Sequence, residues 1–238
     1  MNPQLSITIP AYNEEARISK TLLSYVSFFN QLFTQSYEII VVLNGCVDNT
    51  EQIVDDFCNH YPQIKYINIP QAIGKGGAII KGFEHAVGNY ISFVDADNSV
   101  VPEQFFKIYQ TILHPGVDCV IASRSLKDSK VVGKTISRQI LSKGFNSIVN
   151  SIFDFEIKDT QCGGKIITRE VYEKVKNHLY INNMAFDVNL LYAVKNSGFT
   201  IKEVPIKWVD DEVSTISNPL KISSQMLVST INLKLKKL

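Results

Sequence analysis

The sequence has no surplus of charge of either sign: 24 Lys and Arg stand against 23 Asp and Glu, for a formal net charge of +1 over 238 residues. With no one-signed field there is no electrostatic footprint for nucleic acid, and none is expected as a partner. Cysteine is scarce, and Cys46, Cys58, Cys119 and Cys162 are widely spaced. Without a C-x-x-C pair neither a zinc site nor a disulfide framework is expected, so the four are taken as reduced thiols. No uncharged apolar run approaches the ~18 residues that a membrane span requires. Residues 1–10 have no basic region leading into an apolar core, so no signal peptide is expected and the location is read as cytoplasmic. Linkers, repeats and low-complexity tracts are absent as well.

At 45% hydrophobic and 20% charged residues, there is ample material for a core. The chain is organised around NYISFVDADN (Asn89–Asn98). Tyr90, Ile91, Phe93 and Val94 read as a buried strand of a parallel sheet. The polarity then flips to Asp95-Ala96-Asp97. Two carboxylates one residue apart at the carboxyl end of a central strand sit where open α/β sheets bind ligands. Their oxygens suit a hard divalent cation carrying substrate phosphates, although a D-x-D tripeptide alone often only caps a turn.

Strands and helices alternate around that stretch. Strands are expected at Leu5–Ile9, Glu38–Leu43, Ile64–Ile69, Tyr90–Val94 and Cys119–Ala122. Helices are expected at Glu14–Phe33, from a capping-box-like start at Asp48 and Glu51, at Gly74–Val87 and at Pro102–Leu113. This is an α/β, doubly wound, nucleotide-binding half over residues 1–125. An acceptor half over 126–218 follows. Its long amphipathic helix, Lys134–Phe153, has Ile136, Ile140, Leu141, Phe145, Ile148 and Ile152 marking the buried side. Cys162–Thr168 reads as a strand, with a helix from Arg169, another at Phe186–Lys195, and one or two strands over Thr200–Trp208. Both halves are expected to share one sheet in a single domain. In Pro219–Leu238, Leu227, Ile231, Leu235 and Leu238 share a helical face and Lys221, Lys234, Lys236 and Lys237 add charge. Such a helix either lies on an anionic membrane or closes the core.

Three further features carry chemistry. Gly74-Lys75-Gly76-Gly77 opens a helix, where free N–H groups and Lys75 hold a phosphate, or else it is only a tight turn. It is neither a P-loop, lacking G-K-[ST], nor the dinucleotide fingerprint, since Ile79 takes the third glycine position. Arg124, after the fifth strand, is a phosphate fork or a surface ion pair. Asp187, in apolar company, is a site candidate or a helix N-cap.

The ordered set IPAYNEE (Ile9–Glu15), VVLNGCVDNT (Val41–Thr50), GKGGA (Gly74–Ala78), DAD (Asp95–Asp97) and ASR (Ala122–Arg124) resembles the family 2 glycosyltransferases. DTQCGGKI (Asp159–Ile166), AFDVNLL (Ala185–Leu191), EVPIKW (Glu203–Trp208) and the tail SSQMLVSTI are similar to the polyprenyl-phosphate sugar synthases, the dolichyl-phosphate β-glucosyltransferases and mannosyltransferases. The resemblance implies a GT-A, Rossmann-like fold with a mostly parallel sheet. It also implies a nucleotide-sugar donor, a UDP-sugar such as UDP-glucose, with Mg²⁺ or Mn²⁺ at the diphosphate. Pro10, Ala11, Tyr12, Glu14, Asn44, Lys75, Gly76, Asp95 and Ala96 would then bind the donor, and Asp95 and Asp97 the metal. The product would be inverted by in-line displacement.

Physical chemistry adds a point about the acceptor. A hydroxyl needs a general base. A lipid monophosphate, with a second pKa of about 6, is already largely ionised at neutral pH and needs a cationic dock instead. Arg124 and Arg138 are the candidates for that dock, and Asp187 becomes an orienting residue. The chain departs from the family at Leu43-Asn44-Gly45-Cys46 in place of D-D-G-S, at Asn98-Ser99, at Asn189 in place of glutamate, and at Glu212-Val213-Ser214 in a clamp loop. Two alternatives therefore stay open: transfer to a hydroxyl of a cell-surface glycan, with Asp187 as base, or nucleotide binding with little turnover.

Overall fold

A computed structural model describes residues 3–32, 36–133, 136–209 and 219–236, with backbone alone at 136–138 and 219–220. The first half runs β1 (Leu5–Ala11), α1 (Ile18–Leu32), β2 (Tyr37–Asn44), α2 (Thr50–His60), β3 (Ile64–Ile69), α3 (Gly74–His85), β4 (Tyr90–Val94), α4 (Pro102–Ile112) and β5 (Cys119–Ser123). Then come β6 (Lys130–Val132), α5 (Ile136–Phe153), β7 (Gly164–Thr168), α6 (Arg169–Val175), α7 (Phe186–Asn196), β8 (Ile201–Pro205), β9 (Lys207–Val209) and α8 (Pro219–Leu235).

Seven strands form one sheet in the order β3-β2-β1-β4-β7-β5-β8, while β6 and β9 pair separately. All neighbours in the large sheet are parallel except β7, which runs antiparallel between β4 and β5. The sheet is thus continuous across the two halves. Every residue of β1, β2, β4 and β5 is buried or half-buried, because α1, α2 and α4 cover one face and α3, α6 and α7 the other. That two-sided burial is why these strands read as unbroken apolar runs.

Several expected boundaries move. The helix after β1 begins at Ile18, not Glu14, because residues 14–17 form a turn in which Arg17 N and Ile18 N both bond Glu14 O at 2.9 Å. Phe33 lies outside the described residues. No capping box forms at α2: Asp48 bonds the Thr50 backbone and hydroxyl, and Glu51 reaches Asn68 Nδ2 at 2.6 Å. On α5 the expected buried side is largely reversed. Val149 and Phe153 are buried and Phe145 and Ile152 half-buried, whereas Ile140, Leu141 and Ile148 are exposed and Ile136 is undescribed. On α8, Thr230 and Leu233 close the core, while Ile231 and Leu235 face outward. Leu238 lies outside the described residues. The helix therefore closes the core with one face and leaves a second apolar face bare.

Candidate active site

The carboxyl ends of β2, β1, β4 and β5 open onto a cavity of about 650 Å³. Its wall includes Pro10, Ala11, Tyr12, Glu14, Asn44, Lys75, Asp95, Ala96, Asp97, Arg124 and Asp187, so nearly all the residues expected from the sequence converge there. The strand order acts as a ruler. At ~4.8 Å per strand, β2, which ends at Asn44, lies about 10 Å from β4, which leads into Asp95, and about 19 Å from β5, which leads into Arg124.

The Asp95–Asp97 loop is held from below by α1. Thr21 Oγ1 donates to Ala96 O at 2.6 Å and Tyr25 OH to Val100 O at 2.6 Å. Asn98 takes a left-handed φ of 56°, with its Oδ1 accepting from Ser24 Oγ. Asp95 pairs with Lys75 Nζ at 2.5 Å. Burial pushes both groups toward their neutral forms, but their mutual attraction prevails: the Asp95 carboxyl lies below its ordinary value and the Lys75 ammonium above its own. Asp97 accepts from Ser99 N at 2.9 Å and has no ion pair among the described residues. Burial, and then the Asp95 charge, push its carboxyl up.

That arrangement fits a divalent cation. Two carboxylates face one cavity, and one of them, Asp97, has no ion-pair partner among the described residues. Among the described residues no group of three or more His, Cys, Asp or Glu is placed to hold a metal. A cation at Asp95 and Asp97 would therefore draw its other ligands from substrate oxygens and water.

Glu14 makes a two-pronged pair with Arg17, both bonds at 2.8 Å. Burial nevertheless raises its carboxyl to about 6, with Asp97 and Asp95 adding to the shift against Arg17. Gly76 is not on the cavity wall. A Cβ there would come within 2.2 Å of Ile181 O, so Gly76 serves the close approach of α3 to the 181–186 segment. The side chain of Arg138 lies outside the described residues, as does Glu212-Val213-Ser214.

Arg124 is neither a surface ion pair nor a bare fork. Its Nε and Nη2 bond Asp159 at 2.7 and 2.9 Å, its backbone N bonds the same carboxylate, and its guanidinium packs over Trp208 at 5.4 Å. Asp187 sits in the first turn of α7, whose N-cap is Ala185, so it is not a cap. It forms a buried ion pair with Lys165 Nζ on β7. Lys165, Asp159 and Trp208 are the residues that sequence reasoning passed over. All three lie inside motifs read above, but nothing local singled out their side chains. Asn189 holds a loop: its Oδ1 accepts from Tyr180 N and Ile181 N, and its Nδ2 donates to His178 O.

Residues 6–176 match the family described as "Glycosyl transferase family 2". Among curated proteins, the chain is 33% identical over 247 aligned residues to a dolichyl-phosphate beta-glucosyltransferase of Dictyostelium discoideum, covering 99% of this chain and 75% of that protein. It is 29% identical to the enzyme of that name from Saccharomyces cerevisiae, covering 94% of this chain and 73% of that protein. Among solved structures it resembles mannosyl-3-phosphoglycerate synthase from Rubrobacter xylanophilus, with a TM-score of 0.74 at 16% identity, covering 98% of this chain and 74% of that one. It also resembles glucosyl-3-phosphoglycerate synthase from Mycobacterium tuberculosis in complex with Mn²⁺, UDP and phosphoglyceric acid, with a TM-score of 0.71 at 16% identity, covering 98% and 78%.

Proposed function

The chain belongs to glycosyl transferase family 2 and has the GT-A fold, and we propose that it moves glucose from UDP-glucose to a polyprenyl or dolichyl phosphate with inversion. The observation that carries this reading is the row of groups along the carboxyl ends of the sheet: Asn44 and Tyr12, then Lys75, Asp95 and Asp97, then Arg124 and Asp187. Base, diphosphate and acceptor would lie along it in that order. The relatives named dolichyl-phosphate beta-glucosyltransferase support glucose as the sugar and a lipid phosphate as the acceptor.

Each residue then has a physical task. The amino end of α3 and Lys75 bind the donor phosphates. Asp95 and Asp97 would hold Mg²⁺ or Mn²⁺, which supplies charge neutralisation at the departing diphosphate. Arg124 keeps Nη1 without a hydrogen-bond partner among the described residues, and that donor would meet the acceptor phosphate. Asp159 fixes the guanidinium plane. The acceptor arrives already ionised, so no residue must take a proton from it. Asp187, held by Lys165, orients the sugar rather than acting as base.

The lipid tail would approach over the outer face of α5 and α8. Ile140, Leu141 and Ile148 on α5 and Val228, Ile231 and Leu235 on α8 are exposed. Lys143, Lys221 and Lys234 are exposed on the same two helices and Lys236 just past α8, and neither helix carries an acidic residue. Among the described residues no helix is long and apolar enough to cross a membrane. The exposed apolar side chains and lysines on these helices support contact with an anionic membrane surface.

The test is a thermal-shift panel of UDP, GDP, CDP and their sugars with Mn²⁺ or Mg²⁺. A ligand at a hundred times its Kd stabilises by about 2.7 kcal/mol. A metal-dependent shift with UDP-glucose that Asp97→Asn removes supports the donor site. No shift with any nucleotide overturns it.

A further inference from the structure

Lys75 is the second residue of α3, and its ammonium crosses the cavity wall to Asp95, just past β4. Nζ stands 2.5 Å from Asp95 Oδ1, and the two side chains are 17% and 27% exposed. The other two pairs on this wall are more buried and tied by further bonds. Arg124 reaches Asp159 through its backbone N as well as its guanidinium, and Lys165 also donates to Cys162 O. Lys75 Nζ has no second hydrogen bond or ion pair among the described residues, and beyond Asp95 it meets only the face of the Phe93 ring, at 5.8 Å. One contact therefore holds it, and that contact opens on the cavity.

The same oxygen is wanted twice. A divalent cation on Asp95 would bond a carboxylate oxygen at about 2.1 Å and stand less than about 5 Å from the ammonium. Asp95 Oδ2 offers no clear refuge, because it lies against Gly163, where a Cβ would come within 1.8 Å of it. Two cations would then draw on one carboxylate and repel each other. The ammonium needs another anion before it can leave, and the amino end of α3 is where phosphate oxygens would be presented. The helix end itself is pinned: Gly77 N donates to Asn182 O at 3.1 Å, and Gly74, at a φ of +81°, packs against that same oxygen. An exchange of partners is thus confined to the Lys75 side chain.

We infer that Lys75 competes with the divalent cation for Asp95 and yields it only to a diphosphate, so that cation and nucleotide enter the site together. This rests on the donor site proposed above and adds an order of assembly to it. A lysine that merely offset the local charge would weaken cation binding through its field, whatever residue stood at position 95. A lysine that competes does so only while Asp95 is there to be shared. The two are separated by a double-mutant cycle.

The experiment is titration of Mn²⁺, followed by the electron paramagnetic resonance of the free ion, into wild type, Lys75→Met, Asp95→Asn and the double variant, all without nucleotide. Melting temperatures show that each protein is folded, and Lys75→Gln carries the test if Lys75→Met does not fold. The expected result is Mn²⁺ binding at least tenfold tighter in Lys75→Met than in wild type, and a change of less than threefold for the same substitution in the Asp95→Asn background. Affinity that is unchanged or weaker in Lys75→Met would overturn the inference, as would equal tightening in both backgrounds. Calorimetric titration of UDP with Mn²⁺ into wild type separates the two levels of failure. If that complex binds but Lys75→Met gains no Mn²⁺ affinity, the competition is wrong and the donor site stands. If wild type binds neither Mn²⁺ nor UDP with Mn²⁺, the donor site itself is wrong, and the inference falls with it.

Discussion

Lys165 Nζ and the Asp187 carboxylate form an ion pair whose side chains are 0% and 3% exposed, at the junction of β7 and α7 beneath the cavity. The same ammonium donates to Cys162 O at 2.8 Å and lies 5.5 Å from the centre of the Phe93 ring. The pair joins β7, which runs antiparallel to both its neighbours in the large sheet, to the helix that presents Asp187. A buried pair of this kind is costly to break from one side, because the remaining charge is stranded.

Lys165→Met should therefore cost about 3–5 kcal/mol in chemical denaturation. Replacing both partners, as Lys165→Met with Asp187→Leu, should recover most of that loss while leaving the enzyme inactive. Additive losses in the double variant would show that the two residues do not act as a pair.

Gly163 tests the rigidity of Asp95, a carboxylate proposed to hold the metal. A Cβ at this position would stand 1.8 Å from Asp95 Oδ2, and Lys75 holds that carboxylate from the other side. Gly163→Ala should displace Asp95 and lower activity by roughly a hundredfold, the scale of a 1 Å misplacement. Mn²⁺ affinity should weaken in parallel, measured by titration. Unchanged Mn²⁺ affinity would separate Asp95 from the metal.

The Arg124–Asp159 pair sets an acid limit. Burial alone would push the Asp159 carboxyl up, but the hydrogen bonds and charge of Arg124 outweigh it and hold the group below its ordinary value of 3.8. A depressed carboxylate contributes stability that is fully present above that ordinary value and is lost as pH falls through the folded one. Denaturation midpoints should drop below about pH 4 in the wild type. Asp159→Asn should start lower at pH 7 and show a shallower acid limb. Parallel curves would contradict the assignment.

Ile231 and Leu235 are 43% and 74% exposed on α8. Replacing both with Asp should leave the melting temperature nearly unchanged, since neither packs in the core. It should also abolish co-sedimentation with vesicles containing anionic lipid. Sedimentation that persists in the double variant would place the membrane contact elsewhere.

Much of the fold and the cavity is legible in the sequence. β1, β2, β4 and β5 announce themselves because both faces are covered, which makes each a continuous apolar run. The cavity wall follows from the residues just past those strands. The reversed direction of β7 was not legible: side-chain pattern reports burial, not polarity, and Lys165 interrupts the run with a charge whose partner lies 22 residues away. The buried face of α5 differs from the one its apolar pattern predicts for a related reason. Ile140, Leu141 and Ile148 are as apolar as Val149 and Phe153, and only packing against α7 and α8 decides which set is covered. Asp48 carried the residue types of a capping box but spends its carboxylate on Thr50 and Glu15 N instead. Competition among nearby donors is invisible in a spacing rule.

The most direct measurement is transfer itself. Purified protein is incubated with UDP-glucose, Mn²⁺ and either a polyprenyl phosphate or the matching polyprenol, and the product is isolated and its anomeric configuration determined by NMR. The account predicts a β-linked glucosyl phosphate from the phosphate acceptor, none from the alcohol, and loss of product in Asp97→Asn. Glucosylation of the alcohol at a comparable rate, or a product retaining the donor's α configuration, would contradict it.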